Sequence, residues 1–370
     1  MDEDWELLMS FFPRNWRELA VEHNALKGLR QDKDEAKLLR TLLLHVGCGY
    51  SLRETVVRAK EAQLSDLSDV ALLKRLRKSH DWLYAMCVSL VQERGIVVGG
   101  QSEFDVRLFD ATTVKEPGKT GSLWRIHYSV QLPSLSCDFF KLTGTEGVGT
   151  GESFRQFAIH KGDYILADRG YCHAGSIDHL RRQGAYVTVR LNPASVRILT
   201  MDGKPFELPK NLQSIRRPGI VKSWDVQISG QTEPAVAGRL CVIHKSQEAI
   251  ALAQKKLRRR ANKHAEELQP QTLEYAKYVM LFSTFPKSSF ADTDILEWYR
   301  VRWQVELVFK RFKSIAGLGH LPKYDQQSAK AWLYGKLLVA LLIEKLIGYA
   351  SSISPWGYLL EKSSATQPLA

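Results

Sequence analysis

The chain has 370 residues, enough for two or three domains, and its 44% hydrophobic and 25% charged residues are those of an ordinary globular protein. Its formal net charge of +12 points to a polyanionic partner, nucleic acid first. Five scattered cysteines without CxxC spacing exclude a disulfide framework and a structural zinc site, and the longest apolar run, Leu337 to Ile343, is far too short for a membrane span. The acidic opening MDEDWELL is unlike a signal peptide, so a cytoplasmic location is expected.

Residues 1–95 read as helices. Leucines at helical spacing run from Ala36 to Val46 and stop at Gly47 and Gly49, and Ser51-Leu-Arg-Glu54 has the form of a capping box. The helix expected from Asp69 to His80 carries Lys74, Arg75, Arg77 and Lys78, so helix, turn and basic helix suggest a helix-turn-helix, with Arg75 and Lys78 as DNA contacts. Near Gly95 the pattern becomes extended. Asp105–Val114, Trp124–Leu132 and Asp138–Thr143 read as an antiparallel meander. A short helix from Ser153 to His160, a strand Asp163–Asp168, a helix Ala174–Gln183 and a strand Ala185–Leu191 follow. Together they predict an α/β fold: a mixed five-stranded sheet with flanking helices.

Residues 192–286 look mainly β, with paired strands Val221–Ile228 and Ala235–Ile243 and a closing strand Lys277–Thr284. One helix interrupts, Gln247–Leu268, whose run of Lys255, Lys256, Arg258, Arg259, Arg260 and Lys263 suits either a solvated face or a phosphate backbone, with Arg258 and Arg259 the expected contacts. A second amphipathic helix is expected over Gln327–Ala350. The expected organisation is a helical DNA-binding domain (1–95), a catalytic core (96–191 plus 287–350), a β-rich insertion (192–286) and a loose C-terminal tail (351–370).

The stretch Trp298 to Ile315 reads as one helix with two faces. At 3.6 residues per turn, Tyr299, Arg302, Glu306, Lys310 and Lys313 share one narrow arc, and Val301, Val305, Val308, Phe312 and Ile315 the opposite one. Arg302–Glu306 and Glu306–Lys310 are also i,i+4 pairs that suit a solvated helix. The alternative is a carboxylate among phosphate-binding groups, provided that other carboxylates can meet it. Asp110 and Asp168 can: each follows a hydrophobic residue near the end of a strand, and the first and fourth strands can be neighbours. Three converging carboxylates without soft ligands form a hard oxygen site for Mg²⁺ or Mn²⁺, and two such ions about 3.5–4 Å apart can clamp an in-line phosphoryl displacement. Tyr299, Arg302 and Lys313 then fall to the phosphates.

At these residues the sequence resembles DDE-type transposases of bacterial insertion sequences, the insertion-sequence-4 family. Tyr299-(2)-Arg302-(3)-Glu306-(6)-Lys313 matches that family's Y-(2)-R-(3)-E-(6)-K signature, Asp168-Arg169-Gly170-Tyr171 is similar to its second-aspartate motif, and Asp110-Ala111-Thr112 to its first. The resemblance implies an RNase H-like core with a β insertion and a metal-binding catalytic triad of Asp110, Asp168 and Glu306. It also implies Mg²⁺ or Mn²⁺, two ions, as cofactor, and Arg169 beside Tyr299, Arg302 and Lys313 at the DNA. The implied activity is cut-and-paste transposition by a homodimer on paired terminal inverted repeats. The competing readings are an RNase H-like nuclease indifferent to terminal repeats, and a non-catalytic helix-turn-helix DNA-binding protein.

Overall fold

The structure, a computed structural model, describes residues 2–29, 33–93, 106–115, 122–132, 136–147, 150–230, 234–302, 317, 321 and 325–353. The chain divides into two compact units, residues 1–95 with 312–370, and residues 96–311.

The first unit is helical: α1 (Asp2–Ser10), α2 (Trp16–Glu22), α3 (Glu35–Val46), α4 (Leu52–Glu61), α5 (Asp69–Lys78) and α6 (His80–Glu93), with the long α12 (Gln326–Ile353) packed along α3, α5 and α6. α12, expected from its sequence to belong to the catalytic core, buries its Leu333, Leu337 and Leu341 in the unit of the N-terminal helices. Helix starts are set by side-chain oxygens: Asp34 caps α3, Ser51 caps α4 and Ser68 caps α5. Glu54 completes only half of the expected capping box, because its carboxylate bonds Arg58 instead. No helix among the described residues is long and apolar enough to cross a membrane.

The second unit is built on one nine-stranded sheet, in the order β3-β2-β1-β4-β5-β9-β8-β7-β6. Its strands are β1 (Val106–Lys115), β2 (Ser122–Leu132), β3 (Ser136–Gly144), β4 (Tyr164–Ala167), β5 (Tyr186–Arg190), β6 (Arg197–Leu199), β7 (Val221–Ser229), β8 (Val236–His244) and β9 (Tyr278–Ser283). The first five strands form the mixed arrangement expected from the sequence. β2 is antiparallel to both neighbours, and β1, β4 and β5 run parallel, with α7 (Ala174–Arg182) connecting β4 to β5.

The expected sheet of five strands is corrected to nine. β9 pairs antiparallel with β5, Val189 facing Phe282, and β8, β7 and β6 follow outward. A sheet ending at β5 would expose a row of unpaired backbone groups, and the later strands cover it. Gly238 on β8 makes this pairing possible, because a Cβ there would fall 2.5 Å from the ring of Phe282. Between them stand α8 (Leu208–Gln213), α9 (Gln247–His264) and α10 (Pro270–Tyr275). The helix expected to run to Leu268 stops at His264, where Ala265 takes a left-handed backbone (φ +51°). The short helix expected from Ser153 shrinks to a 3₁₀ turn at Phe154–Gln156.

One continuous apolar core lines this sheet and α7. Phe109 stacks on Phe157 with ring centroids 4.1 Å apart, and Phe154 on Tyr171 at 5.2 Å. Register is locked by a buried cation on β1. Arg107 donates to Asp138 of β3 at 2.6 Å and to Asp163, just before β4, at 2.7 Å. Asp163, expected from the sequence to open the fourth strand, is thus one pole of a buried ion pair. Such a pair adds little net stability, but a one-residue slip would strand its charges in the core, so it specifies the alignment of β1 with β4.

Candidate active site

That alignment places the first two carboxylates. β1 and β4 pair in parallel with Phe109 opposite Ala167, so Asp110 and Asp168 hold the next register position on neighbouring strands. Phe109 and Ala167 are fully buried in the core, and the alternation of a strand turns Asp110 to the opposite side of the sheet from Phe109. β4 ends at Ala167; Asp168 keeps an extended backbone (φ −81°, ψ 177°) and opens the 3₁₀ turn Arg169–Tyr171.

Asp110 Oδ1 accepts the Ala111 N–H at 2.8 Å. Burial raises its pKa to about 7; Asp168 and Glu152 push the same way, and Arg302 opposes them. The carboxyl is therefore held where its negative charge is poorly solvated and draws a cation.

The third element is α11 (Asp292–Val301), which starts earlier than the sequence suggested. Its Tyr299 hydroxyl donates to Asp168 Oδ1 at 3.4 Å, long for such a bond. Burial raises the Tyr299 pKa, so the phenol keeps its proton and serves as a donor. The Arg302 guanidinium lies 5.5 Å from the centre of the Tyr299 ring, and the backbone at Arg302 is still helical. The structure thus brings Asp110, Asp168, Tyr299 and Arg302 together. Glu306 and Lys313 lie outside the described residues.

The second aspartate motif contributes more than its aspartate. Arg169 Nη2 donates to Asn192 at 2.7 Å, and its pKa is lowered by burial and by the charges of Arg190 and Arg260 nearby. Arg190 is felt in turn by Lys245 and by Tyr299. Cations crowded in this way suit a phosphate backbone. Of the charge run on α9, Arg260 is the residue felt by Arg169; Arg258 and Arg259, the positions expected from the sequence, are exposed on the helix.

In the helical unit, Lys78 is exposed. Arg75 is buried, and its Nη1 donates to the Lys27 carbonyl at 2.7 Å, so this guanidinium is turned inward to hold the loop after α2. Arg77 is paired with Asp325 at 2.9 Å. A helix with four cations cannot present them all on one side, and the apolar face of Leu72 and Leu76 takes Arg75 with it.

Two further groups border the carboxylates, and sequence periodicity does not mark them. Glu152, in the loop before the Phe154 turn, has its proton affinity raised by burial and by Asp168. Tyr171 is fully buried, its hydroxyl has no hydrogen-bond partner among the described residues, and burial together with Asp110, Glu152 and Asp168 raises its pKa. The available donors are hard oxygens with no thiolate, which suits Mg²⁺ or Mn²⁺ rather than zinc. An orphaned buried hydroxyl beside partly buried carboxylates also fits a hydrated cation, whose waters give it a partner. Among the described residues no three acidic, histidine or cysteine side chains close into a ready-made metal cage. Mg²⁺ commonly takes one or two carboxylates and completes its shell with water and phosphate.

A family model described as transposase DDE domain matches residues 101–342. The transposase for insertion sequence element IS421 of Escherichia coli is 29% identical over 364 residues, covering 93% of this chain and 94% of that protein. The transposase for insertion sequence element IS231F of Bacillus thuringiensis subsp. israelensis is 23% identical over 265 residues, covering 64% and 55%. Among solved structures, a chain of a piggyBac transposase synaptic complex with hairpin DNA has a TM-score of 0.48 at 11% identity, covering 95% of this chain and 76% of that one. The family match spans the strand that carries Asp110, the turn that Asp168 opens after β4 and the helix that carries Tyr299, and the chain belongs to the transposase DDE domain family, whose members cleave DNA and transfer its strands.

Proposed function

We propose that this transposase is a member of the insertion-sequence-4 family with an RNase H-like core, and that it excises and reinserts its own element as a homodimer on paired terminal inverted repeats. Asp110, Asp168 and Glu306 are its catalytic carboxylates. One observation carries the reading: Asp110 and Asp168 directly follow the last paired residues, Phe109 and Ala167, of parallel neighbours, and Tyr299, first residue of the Y-(2)-R-(3)-E-(6)-K signature, reaches Asp168 from α11. The strand order β3-β2-β1-β4-β5, with β2 alone reversed among these five, supports the RNase H-like core.

In this reading the carboxylates of Asp110, Asp168 and Glu306 hold two Mg²⁺ or Mn²⁺ ions. When bound, the ions neutralise charge at the scissile phosphate and stabilise both the attacking and the leaving oxygen. The Tyr299 hydroxyl orients Asp168. Arg302, Lys313 and Arg169 grip non-bridging phosphate oxygens beside the scissile bond, Arg302 and Arg169 through planar guanidinium groups and Lys313 as a point charge. Water attacks first and frees the 3′-OH of the element end; that hydroxyl then attacks a target phosphodiester, so each bond formed at phosphorus is matched by one broken.

The test is cleavage of a duplex carrying the element's terminal inverted repeats beside a scrambled duplex, with Mg²⁺, Mn²⁺ or a chelator. Nicking is expected on the repeats only, and only with a cation. Equal cutting of the scrambled duplex would overturn the assignment to paired element ends. In the same duplex, Lys313→Ala is expected to weaken binding and to lower the slope of log K against log salt by about one, the share of a single phosphate contact. An unchanged slope removes Lys313 from the DNA.

A further inference from the structure

Glu152 is an acidic side chain of this site that no motif includes. It ends the loop after β3, and the loop is fixed just beyond it. Phe154 is fully buried in the core, its N–H donates to Ser176 Oγ of α7 at 2.9 Å, and Ser153 Oγ meets the same hydroxyl at 3.3 Å. This anchor aims the carboxylate at the turn that follows Asp168. A Cβ built on Gly170 would fall 1.6 Å from Glu152 Oε2 and 2.9 Å from its carboxyl carbon. The carboxylate therefore occupies the space that any other residue at position 170 would fill. Gly170 does not have a left-handed backbone, so its small size, and not conformational freedom, is what this position uses.

No hydrogen bond or ion pair from the Glu152 carboxylate to a described residue is formed, although Arg125 and His173 are near enough to favour its charge. Beside it the buried Tyr171 hydroxyl also lacks a partner among the described residues, and that phenol feels Asp110, Glu152 and Asp168 together. An unsatisfied buried donor and an unpaired carboxylate facing the same two aspartates call for a polar occupant between them.

We propose that Glu152 is a positioning carboxylate of the divalent-cation site, accepting hydrogen bonds from the water shell of a cation held by Asp110 and Asp168. The inference rests on the assignment of those two aspartates as cation ligands. It suits a cation such as Mg²⁺, which gives up its waters reluctantly and is sensitive to the groups that order them. Glu152 adds negative charge and orientation without direct ligation, and Gly170 exists to admit it.

The experiment is titration of the purified full-length protein with Mn²⁺, followed by calorimetry and by the Mn²⁺ electron paramagnetic resonance signal. Glu152→Gln keeps shape and removes charge, and is expected to weaken Mn²⁺ binding about tenfold, the lower end of what outer-shell changes do. Gly170→Ala displaces the end of a flexible side chain and leaves every acidic group present; it is expected to weaken Mn²⁺ binding in the same direction, and the double variant to be no weaker than Glu152→Gln alone, because the two changes act on one group. Circular dichroism melting without cation tracks folding in each variant. Parent-like Mn²⁺ affinity in Glu152→Gln overturns the proposal. Asp168→Asn distinguishes loss of a ligand from loss of a positioning group: it is expected to lose Mn²⁺ binding outright, and parent-like binding there overturns the ligand assignment itself.

Discussion

Asp110→Asn is expected to abolish DNA cleavage, by at least about 10³-fold, and at the same time to raise the thermal midpoint of the cation-free protein at pH 8 by about 5–10 °C. The two effects have opposite signs and one origin. The Asp110 carboxyl sits on a central strand, and burial raises its pKa to about 7 against an ordinary value near 3.8. Between those values the folded chain holds a proton that the unfolded chain has released. Stability therefore falls as pH rises through that window, and the full cost stands above about pH 7. The cost is on the order of 2–4 kcal/mol, because each tenfold change in proton affinity between the folded and unfolded chains is worth about 1.4 kcal/mol. Asparagine carries no charge to bury, so the variant loses this pH dependence. With Asp110 as a cation ligand, as proposed, Mg²⁺ is expected to raise the parent's midpoint more than the variant's. Melting curves from pH 5 to 8, with and without Mg²⁺, and a nicking assay on the element ends check both halves. A variant that melts like the parent at pH 8 without cation would show that the Asp110 charge costs the fold nothing.

Such a trade is what a functional position looks like in a fold that is otherwise consistent from one level to the next. It also explains how the two aspartates could be found in the sequence. Each stands after a residue that the core must have, Phe109 or Ala167, at a point where alternating burial requires something apolar or a partner. The local pattern is enough, because the neighbours that matter are one strand away. What escapes the sequence is non-local. Nothing in Val187 to Leu191 says that its outer edge will be covered by Phe282 and its neighbours, so the sequence leads to a sheet that stops at five strands. The basic residues of α5 offer a charge count without a direction, and packing turns Arg75 inward and leaves Lys78 outside. Glu152 lies in a glycine-rich loop with no periodicity to mark it. The signal that points to it is the glycine of Asp168-Arg169-Gly170-Tyr171, since a glycine with an ordinary backbone signals close approach by something else.

Charge on α9 shows the same division between composition and geometry. The run Lys255 to Lys263 suits a solvated face or a phosphate backbone equally, but the rotation of the helix decides which residue lies near the aspartate turn, and that residue is Arg260. Arg169, Arg190, Arg260 and Lys245 come from four different segments, so their convergence could not be counted along the chain. The family match spans all four segments.

Arg239→Ala is expected to destabilise the protein by about 3–5 kcal/mol and to impair cleavage even at temperatures where the variant is folded. Arg239 is on β8, only 3% exposed, and everything it holds belongs to the approach to α11. Nη1 donates to Asp292 Oδ1 at 2.8 Å, and Nη2 donates to the Phe290 carbonyl at 2.6 Å and to that of Phe285 at 3.4 Å. Ser223 of β7 donates to the other oxygen of Asp292, the first residue of α11. Truncation leaves a carboxylate and two carbonyls without their donor, and each such loss carries its own desolvation cost. The helix so released is the one that carries Tyr299 and Arg302 to Asp168 and Asp110, so the defect reaches the site without any change in its own residues. Burial works to raise the Asp292 pKa, but the Ser223 hydrogen bond and the Arg239 charge outweigh it and hold the carboxyl below its ordinary value. Its contribution to stability is therefore complete above the ordinary carboxylate range and is lost as pH falls through the folded pKa. In the variant that acid limb flattens. Arg239→Lys keeps the charge but cannot span Asp292 and the carbonyls together, and is expected to fall between the two. Chemical denaturation at pH 7 and pH 3, with cleavage rates at a temperature well below both midpoints, makes the comparison. Parent-like cleavage in a destabilised Arg239→Ala would confine this network to stability and remove it from the positioning of α11.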